Sequence, residues 1–225
     1  MAFSLPPRPS TPPGPRPPQN VTPPPSRWTY ATVCSSNINR SMESHNLLSQ
    51  LHLPTTSYGT GSQVRLPGKT SMEPKIFKFG TPYEEMYDTL VAEDISYFTQ
   101  NGIIPLCIRG ASIKTSPTRW QDTDVSVIRS HDVVVCFEER IFDAVIEDLQ
   151  LREPGDDFKP VFVICLDTKD NPTESKKMGR KCCELCWRLE RIEDLSEGLG
   201  DVIEEFGEEM GKITEVKVLY QVCYL

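Results

Sequence analysis

Residues 28–51, WTYATVCSSNINRSMESHNLLSQL, decide how the chain folds. The first part is apolar and β-prone: Tyr30, Thr32 and Val33 suit a pleated, half-buried strand. A polar run follows, Cys34-Ser35-Ser36-Asn37-Ile38-Asn39-Arg40-Ser41. Beyond it Met42, His45 or Asn46, and Leu48 recur at helical spacing. Strand, short polar loop and helix together aim backbone N–H groups at a small volume above the helix start. Dipoles and donors hold a phosphate in such a place. A cysteine opens this loop, and an arginine closes it six positions later.

Thiols are weak nucleophiles near neutral pH, because only a few per cent is ionised. A helix N-terminus and a nearby guanidinium stabilise a thiolate, and such settings bring thiol pKa values from ~8.5 down to roughly 4–7. On this reading Cys34 attacks phosphorus. Arg40 forks onto two phosphoryl oxygens, and the loop amides of Ser35, Ser36, Asn37, Ile38 and Asn39 help it to hold the charge. The Ser41 hydroxyl is placed to hydrogen-bond the thiolate and ease its departure. The competing reading is a buried strand-end thiol, a common fate for free cysteine. The polar loop and the helix after it favour the reactive reading.

The same spacing occurs a second time, from Cys182 to Arg188 (CCELCWR). No strand precedes that copy, and it lies inside a helix-prone run, so a structural role is expected. Cys182, Cys183 and Cys186 also suggest zinc, but a structural zinc site wants two ligand pairs and no second pair has suitable spacing. No metal and no cofactor are expected. Histidines 45, 52 and 131 form no convincing catalytic triad.

The 225 residues suffice for one domain and a tail. A net charge of -8 and a pI of about 5.0 argue against nucleic acid as a direct partner, since phosphate backbones need clustered Lys and Arg. No run approaches the ~18 apolar residues of a membrane span, and no signal peptide opens the chain. An intracellular setting follows, with the eight cysteines reduced. Residues 1–27 hold eleven prolines and few large apolar side chains, the composition of a disordered, polyproline-like tail. The spacing of Pro9 and Pro12 fits an SH3-type ligand, although a dispensable extension is the plainer reading. A single domain is expected over residues 28–225.

Within that domain residues 55–61 read as a short strand ending in a glycine turn, and 63–68 as a loop near the active face. Residues 76–79 fit a short extended piece. Tyr83 to Gln100 reads as helix, and 101–127 as helix fragments and loop. The run DVVVCF (132–137) and PVFVICL (160–166) have the continuous apolar character of parallel strands buried on both faces. Residues 138–150 form an amphipathic helix between them. One long helical stretch is expected over 173–210, and a last strand over Val216 to Tyr224. Strands alternating with helices imply an α/β fold with a doubly wound, mostly parallel central sheet flanked by helices. An extra helical insertion occupies residues 81–127. Ligands of such sheets bind beyond the carboxyl ends of strands, where both the Cys34 loop and the segment Asp167-Thr168-Lys169-Asp170 emerge. A departing alkoxide needs a proton, and a phosphorylated cysteine later needs an activated water. One carboxyl group can do both. Asp167 and Asp170 are the candidates, and Asp170 is preferred.

CSSNINRSMESHNLL, GTGSQVRLPG, YEEMYDTL, FTQNGI, CFEERIFDAVIEDL and the LDTKDN loop together resemble the Ssu-type phosphatases of the RNA polymerase II carboxy-terminal domain. These are relatives of the low-molecular-weight protein tyrosine phosphatases. The resemblance spans about residues 28–225 in order. It implies a metal-independent phosphatase acting on phosphoserine at the fifth heptad position, and less at the seventh, with the following proline in its cis form. It implies a nuclear role with mRNA 3′-end processing factors, including a symplekin-like scaffold. The family's nucleophile, arginine and general acid match Cys34, Arg40 and Asp170. Its proline groove matches the segment around Ile38, Leu66, Pro67 and Gly68. Tyrosine phosphatases of this superfold carry an aromatic two residues after the acid; Pro172 stands there, which favours phosphoserine. The alternatives are a low-molecular-weight tyrosine phosphatase and a non-catalytic scaffold of the 3′-end machinery. An arsenate reductase fits less well, because no cysteine lies between Cys34 and Cys107.

Overall fold

A computed structural model describes residues 25–70, 72–213 and 218–225. Most of the expected Pro-rich tail (1–24) lies outside the described residues, as does the start of the expected last strand (216–217). In chain order the elements are β1 (Tyr30–Cys34), α1 (Arg40–Gln50), β2 (Thr55–Gly59), β3 (Val64–Leu66) and β4 (Lys75–Phe77). There follow α2 (Tyr83–Gln100), α3 (Ile103–Ile113), α4 (Val125–Arg129), β5 (Val133–Cys136) and α5 (Glu139–Leu151). β6 (Pro160–Leu166), α6 (Pro172–Leu189), α7 (Leu195–Ile213) and β7 (Val218–Tyr224) close the fold.

The main sheet has the order β2-β1-β5-β6-β7, with every pair parallel except β6 and β7. This is the doubly wound arrangement expected. From β1 the chain crosses to β2 on one side, and then to β5 on the other. That reversal opens a crevice at the carboxyl ends of β1 and β5. Cys34 is the last residue of β1 and therefore stands at it.

Alternation along the strands sorts the core. Tyr30, Val133, Val135, Phe162, Ile164 and Leu166 face α6 and α7, and pack with Leu185, Leu189, Leu199 and Phe206. Ala31, Val33, Val134, Cys136, Val161, Val163 and Cys165 face α5, where they meet Phe142, Val145 and Leu149 together with Trp120. Both faces are covered, so the strands read as unbroken apolar runs. A third cluster joins α1 to the insertion: Ile38, Met42, Leu66, Tyr83, Met86, Leu90, Phe98 and Ile104.

Three expectations are corrected. The 173–210 stretch is two helices. α6 ends at Leu189, and Asp194 starts α7 afresh by accepting from Ser196 N at 2.8 Å. The apolar period runs across the break because both helices cover the same sheet face. Residues 63–68 are not a plain loop, since Val64–Leu66 pairs antiparallel with Lys75–Phe77. Helix 83–100 is kinked at Asp94, whose carboxylate caps Tyr97 N. Within 101–127, expected as helix fragments and loop, α3 runs unbroken through Pro105 and Gly110. Pro105 sits in the first turn, where its missing N–H has no helical partner to lose. Gly110 lies against the ring of Tyr83, and a Cβ there would stand 2.5 Å from it. That contact lets α3 pack on α2.

Candidate active site

A phosphate cradle needs N–H groups pointing inward, which requires its carbonyls to be bound outside. The loop between β1 and α1 meets that requirement. Thr60 N donates to Cys34 O at 3.0 Å, and Gly61 N to Ser35 O at 2.9 Å. The Tyr83 hydroxyl donates to Asn37 O at 2.6 Å. Arg109 donates to Ile38 O at 2.7 Å and to Asn39 O at 2.9 Å. Among the described residues, no backbone N–H from Ser35 to Asn39 donates to a protein acceptor. Asn37 takes φ 54°, the left-handed region that Asn tolerates best after Gly, and this turns the loop back on itself. Gly59 of β2 closes the far wall. A Cβ there would stand 2.6 Å from Ser35 O and 2.9 Å from Asn37 N.

Ser41 Oγ lies 3.1 Å from Cys34 Sγ, and Asn37 Nδ2 donates to the same Oγ at 3.0 Å. Ser36 links the loop to β3: its Oγ accepts from Arg65 N at 3.1 Å. Asn39 Nδ2 donates to Asp170 Oδ1 at 2.9 Å.

Arg40 is 3% exposed and has divided duties. Nη1 is anchored on two carbonyls, Phe137 O at 3.0 Å and Thr168 O at 2.9 Å, at the ends of β5 and β6. Nη2 faces the carboxylates of Glu138 at 3.0 Å and Asp170 at 3.4 Å. Nε is buried without a partner. A buried donor left open costs about 1–3 kcal/mol, and an arriving oxyanion removes that cost. Nε and Nη2 form the edge of the guanidinium that forks onto two oxygens. Burial works against the Arg40 charge, but Cys34, Asp170 and Glu138 around it outweigh that loss and hold its pKa above the ordinary value. Burial raises the Glu138 carboxyl, but bonds from Arg140 and Arg40 overcome this and hold it below the usual range.

Asp170 divides two clefts. One, of about 330 Å³, is lined by Arg65, Leu66, Pro67, Gly68, Thr70, Pro74 and Asp170. The other, of about 410 Å³, is lined by Arg40, Glu138, Arg140, Asp167, Thr168, Lys169 and Asp170. The expected groove residues Leu66, Pro67 and Gly68 thus border the first. Ile38 does not: it is buried in the third apolar cluster, below the groove. Asp167 lies on the second cleft with no hydrogen bond or ion pair to Arg40, whereas Asp170 has both Arg40 and Asn39 as partners.

Sequence reasoning missed four residues here: Tyr83, Arg109, Lys114 and Glu138. The first three come from the helical insertion. Arg109 also pairs with buried Glu43, so its charge is satisfied as well as its geometry. Lys114 Nζ donates to Asn37 Oδ1 at 2.9 Å, Ser57 O at 2.7 Å and Thr118 Oγ1 at 2.9 Å. The second cysteine–arginine pair is structural, as expected. Cys182 and Cys186 are wholly buried against the sheet, and Arg188 pairs with Glu184 and Glu209. Among the described residues no cluster of His, Cys, Asp and Glu could hold a metal. All eight cysteines are free thiols.

A family model described as Ssu72-like protein matches residues 28–225. The RNA polymerase II C-terminal domain phosphatase SSU72 of Danio rerio is 40% identical over 201 residues, 89% of this chain and 99% of that protein. Its Homo sapiens counterpart is 37% identical over the same shares of each. The crystal structure of Drosophila melanogaster Ssu72 with Symplekin, bound to a cis peptidomimetic phosphoserine peptide of the CTD, is similar at a TM-score of 0.82. Its sequence identity is 33%, covering 89% of this chain and 100% of that one. The crevice at the end of β1 and these likenesses lead to one assignment: the chain belongs to the Ssu72-like family.

Proposed function

We propose that this protein is a cysteine-dependent phosphatase of phosphoserine in the RNA polymerase II carboxy-terminal domain. The observation that carries the reading is the open, buried Nε of Arg40 together with the N–H groups of the Cys34 loop that have no protein acceptor among the described residues. In the first step Cys34 Sγ attacks phosphorus. The S–P bond forms, the P–O bond to serine breaks, and the serine oxygen takes a proton from Asp170. In the second step water attacks phosphorus and gives its proton to the Asp170 carboxylate. The S–P bond breaks, its electron pair returns to sulfur, and inorganic phosphate leaves. No step calls on a metal.

The apolar floor and backbone rim at Leu66, Pro67 and Gly68 suit the proline after the phosphoserine; the Drosophila relative is bound to a cis peptidomimetic phosphoserine peptide of the CTD. Pro172 opens α6 at the position where the resemblance places an aromatic in tyrosine phosphatases, which favours a phosphoserine substrate. The same likeness supports a nuclear role in transcription termination and mRNA 3′-end processing, with a symplekin-like scaffold as partner. Cys34→Ser is expected to abolish turnover of a phosphoserine-proline heptad peptide, and EDTA to change nothing. Undiminished activity in that variant would reject the mechanism. A panel of heptad phosphopeptides with and without a prolyl isomerase tests the cis requirement, because uncatalysed isomerisation takes tens to hundreds of seconds.

A further inference from the structure

Asn37 is buried and its carboxamide touches three groups. Oδ1 receives Lys114 Nζ at 2.9 Å and the Thr118 N–H at 3.1 Å. Nδ2 faces Ser41 Oγ at 3.0 Å. An ammonium and a backbone N–H can only donate, so the amide oxygen must lie on their side. The amide nitrogen then can only donate to Ser41. Ser41 has a single hydroxyl hydrogen. Its oxygen already accepts from Asn37, and its other polar neighbour is Cys34 Sγ at 3.1 Å. The hydrogen is directed at sulfur.

We infer that Lys114 is a positioning residue for the reaction: by holding the Asn37 amide in one orientation it makes Ser41 a permanent donor to Cys34. This rests on the phosphatase reading above. The donor strengthens as charge builds on sulfur, so it acts most when the S–P bond breaks. Phosphocysteine hydrolysis is the step that depends on it most. Burial, partly offset by the charge of Cys34, pulls the Lys114 pKa down to about 8, so the side chain remains mainly an ammonium at neutral pH. A direct effect of that charge on sulfur is the rival explanation, and the two separate in a double-mutant cycle.

The test uses Lys114→Met, Ser41→Ala and the double variant in the full chain. It has three readouts: kcat, the steady-state fraction of phosphocysteine, and Cys34 alkylation by iodoacetamide at pH 6. Lys114→Met is expected to lower kcat about 10-fold, lower KM along with it, raise the phosphocysteine fraction and slow alkylation. In the Ser41→Ala background it should add less than 2-fold to any of these. An equal effect in both backgrounds would overturn the chain and favour the direct charge; so would no effect in either. Should Lys114→Met not fold, Lys114→Gln replaces it, with an amide that donates but carries no charge. Its loss in kcat should be smaller than that of Ser41→Ala; an equal or larger loss overturns the proposal. A wild-type enzyme that never forms phosphocysteine would defeat the phosphatase reading itself. Normal phosphocysteine with independent Lys114 and Ser41 effects would defeat the chain alone.

Discussion

Two stretches of this chain place a cysteine six residues before an arginine, and they do opposite things. Cys34 ends a parallel strand, and Arg40 begins the helix after it. The turn between them brings the buried guanidinium to the sheet crevice beside the sulfur. Cys182 and Arg188 lie within one helix, where six residues make more than one and a half turns. Their side chains leave on different faces. Cys182 packs under the sheet, while Arg188 reaches out to Glu184 and Glu209 on the surface. Burial pushes neighbouring Cys183 up to about 12, a thiol unsuited to attack. Spacing alone therefore specifies no chemistry; the change from strand to helix within it does.

The largest expected contrast breaks each pair at the sulfur. Cys34→Ser should remove turnover by about 10⁴-fold or more with little change in stability, since a serine hydroxyl is not ionised in this range. Cys182→Ser should leave kcat/KM within 2-fold but destabilise by about 1–3 kcal/mol in urea melts, by placing a hydroxyl in an apolar cluster. Activity lost in the second variant with stability intact would break the contrast.

The arginines come next. Arg40→Lys should cost about 10²–10³-fold in kcat/KM, because a single ammonium cannot hold the carbonyls of Phe137 and Thr168 and also fork onto phosphate. Arg188→Lys should change activity less than 2-fold and stability by less than about 1 kcal/mol, the usual range for exposed pairs. Asp170→Asn should lower kcat by about 10²–10³-fold with KM nearly unchanged, while Asp167→Asn should cost less than 3-fold. Reversal of the two would move the general acid to Asp167.

The smallest effect concerns stability. His45 and His131 flank β2 and are bonded to Ser57 and to Tyr58. Burial, aided by Lys114 and Lys159 respectively, pulls both from 6.5 to about 4. The unfolded chain therefore binds more protons than the fold between those values. The stability they contribute is complete above about pH 6.5 and is lost as pH falls towards 4, on the order of 2–3 kcal/mol for each. His45→Gln should remove about half of the difference between urea melts at pH 7 and pH 4.5. An unchanged difference would mean that another group carries it.

Much of this was legible in the sequence. β1, its loop and α1 are local, and β5 and β6 announce themselves as apolar runs because both of their faces are covered. The candidate trio needed only one long-range step, from Cys34 to Asp170. The braces of the loop were not legible. Tyr83, Arg109 and Lys114 meet it from 46 to 77 residues away, on an insertion whose fold depends on packing such as Gly110 against Tyr83. Nothing local marks an arginine that will bind two carbonyls. The division between α6 and α7 did carry a signal, the Asp194-Leu195-Ser196 cap, but a shared apolar period concealed it.

The central claim is a transient bond between one sulfur and phosphorus. A radiolabelled phosphoserine heptad peptide, mixed with the enzyme and quenched in acid during turnover, tests it directly. The account predicts acid-stable label on the proteolytic fragment containing Cys34 and none on the fragment with Cys182, Cys183 and Cys186. Turnover without label on Cys34, or label on another cysteine, would contradict it.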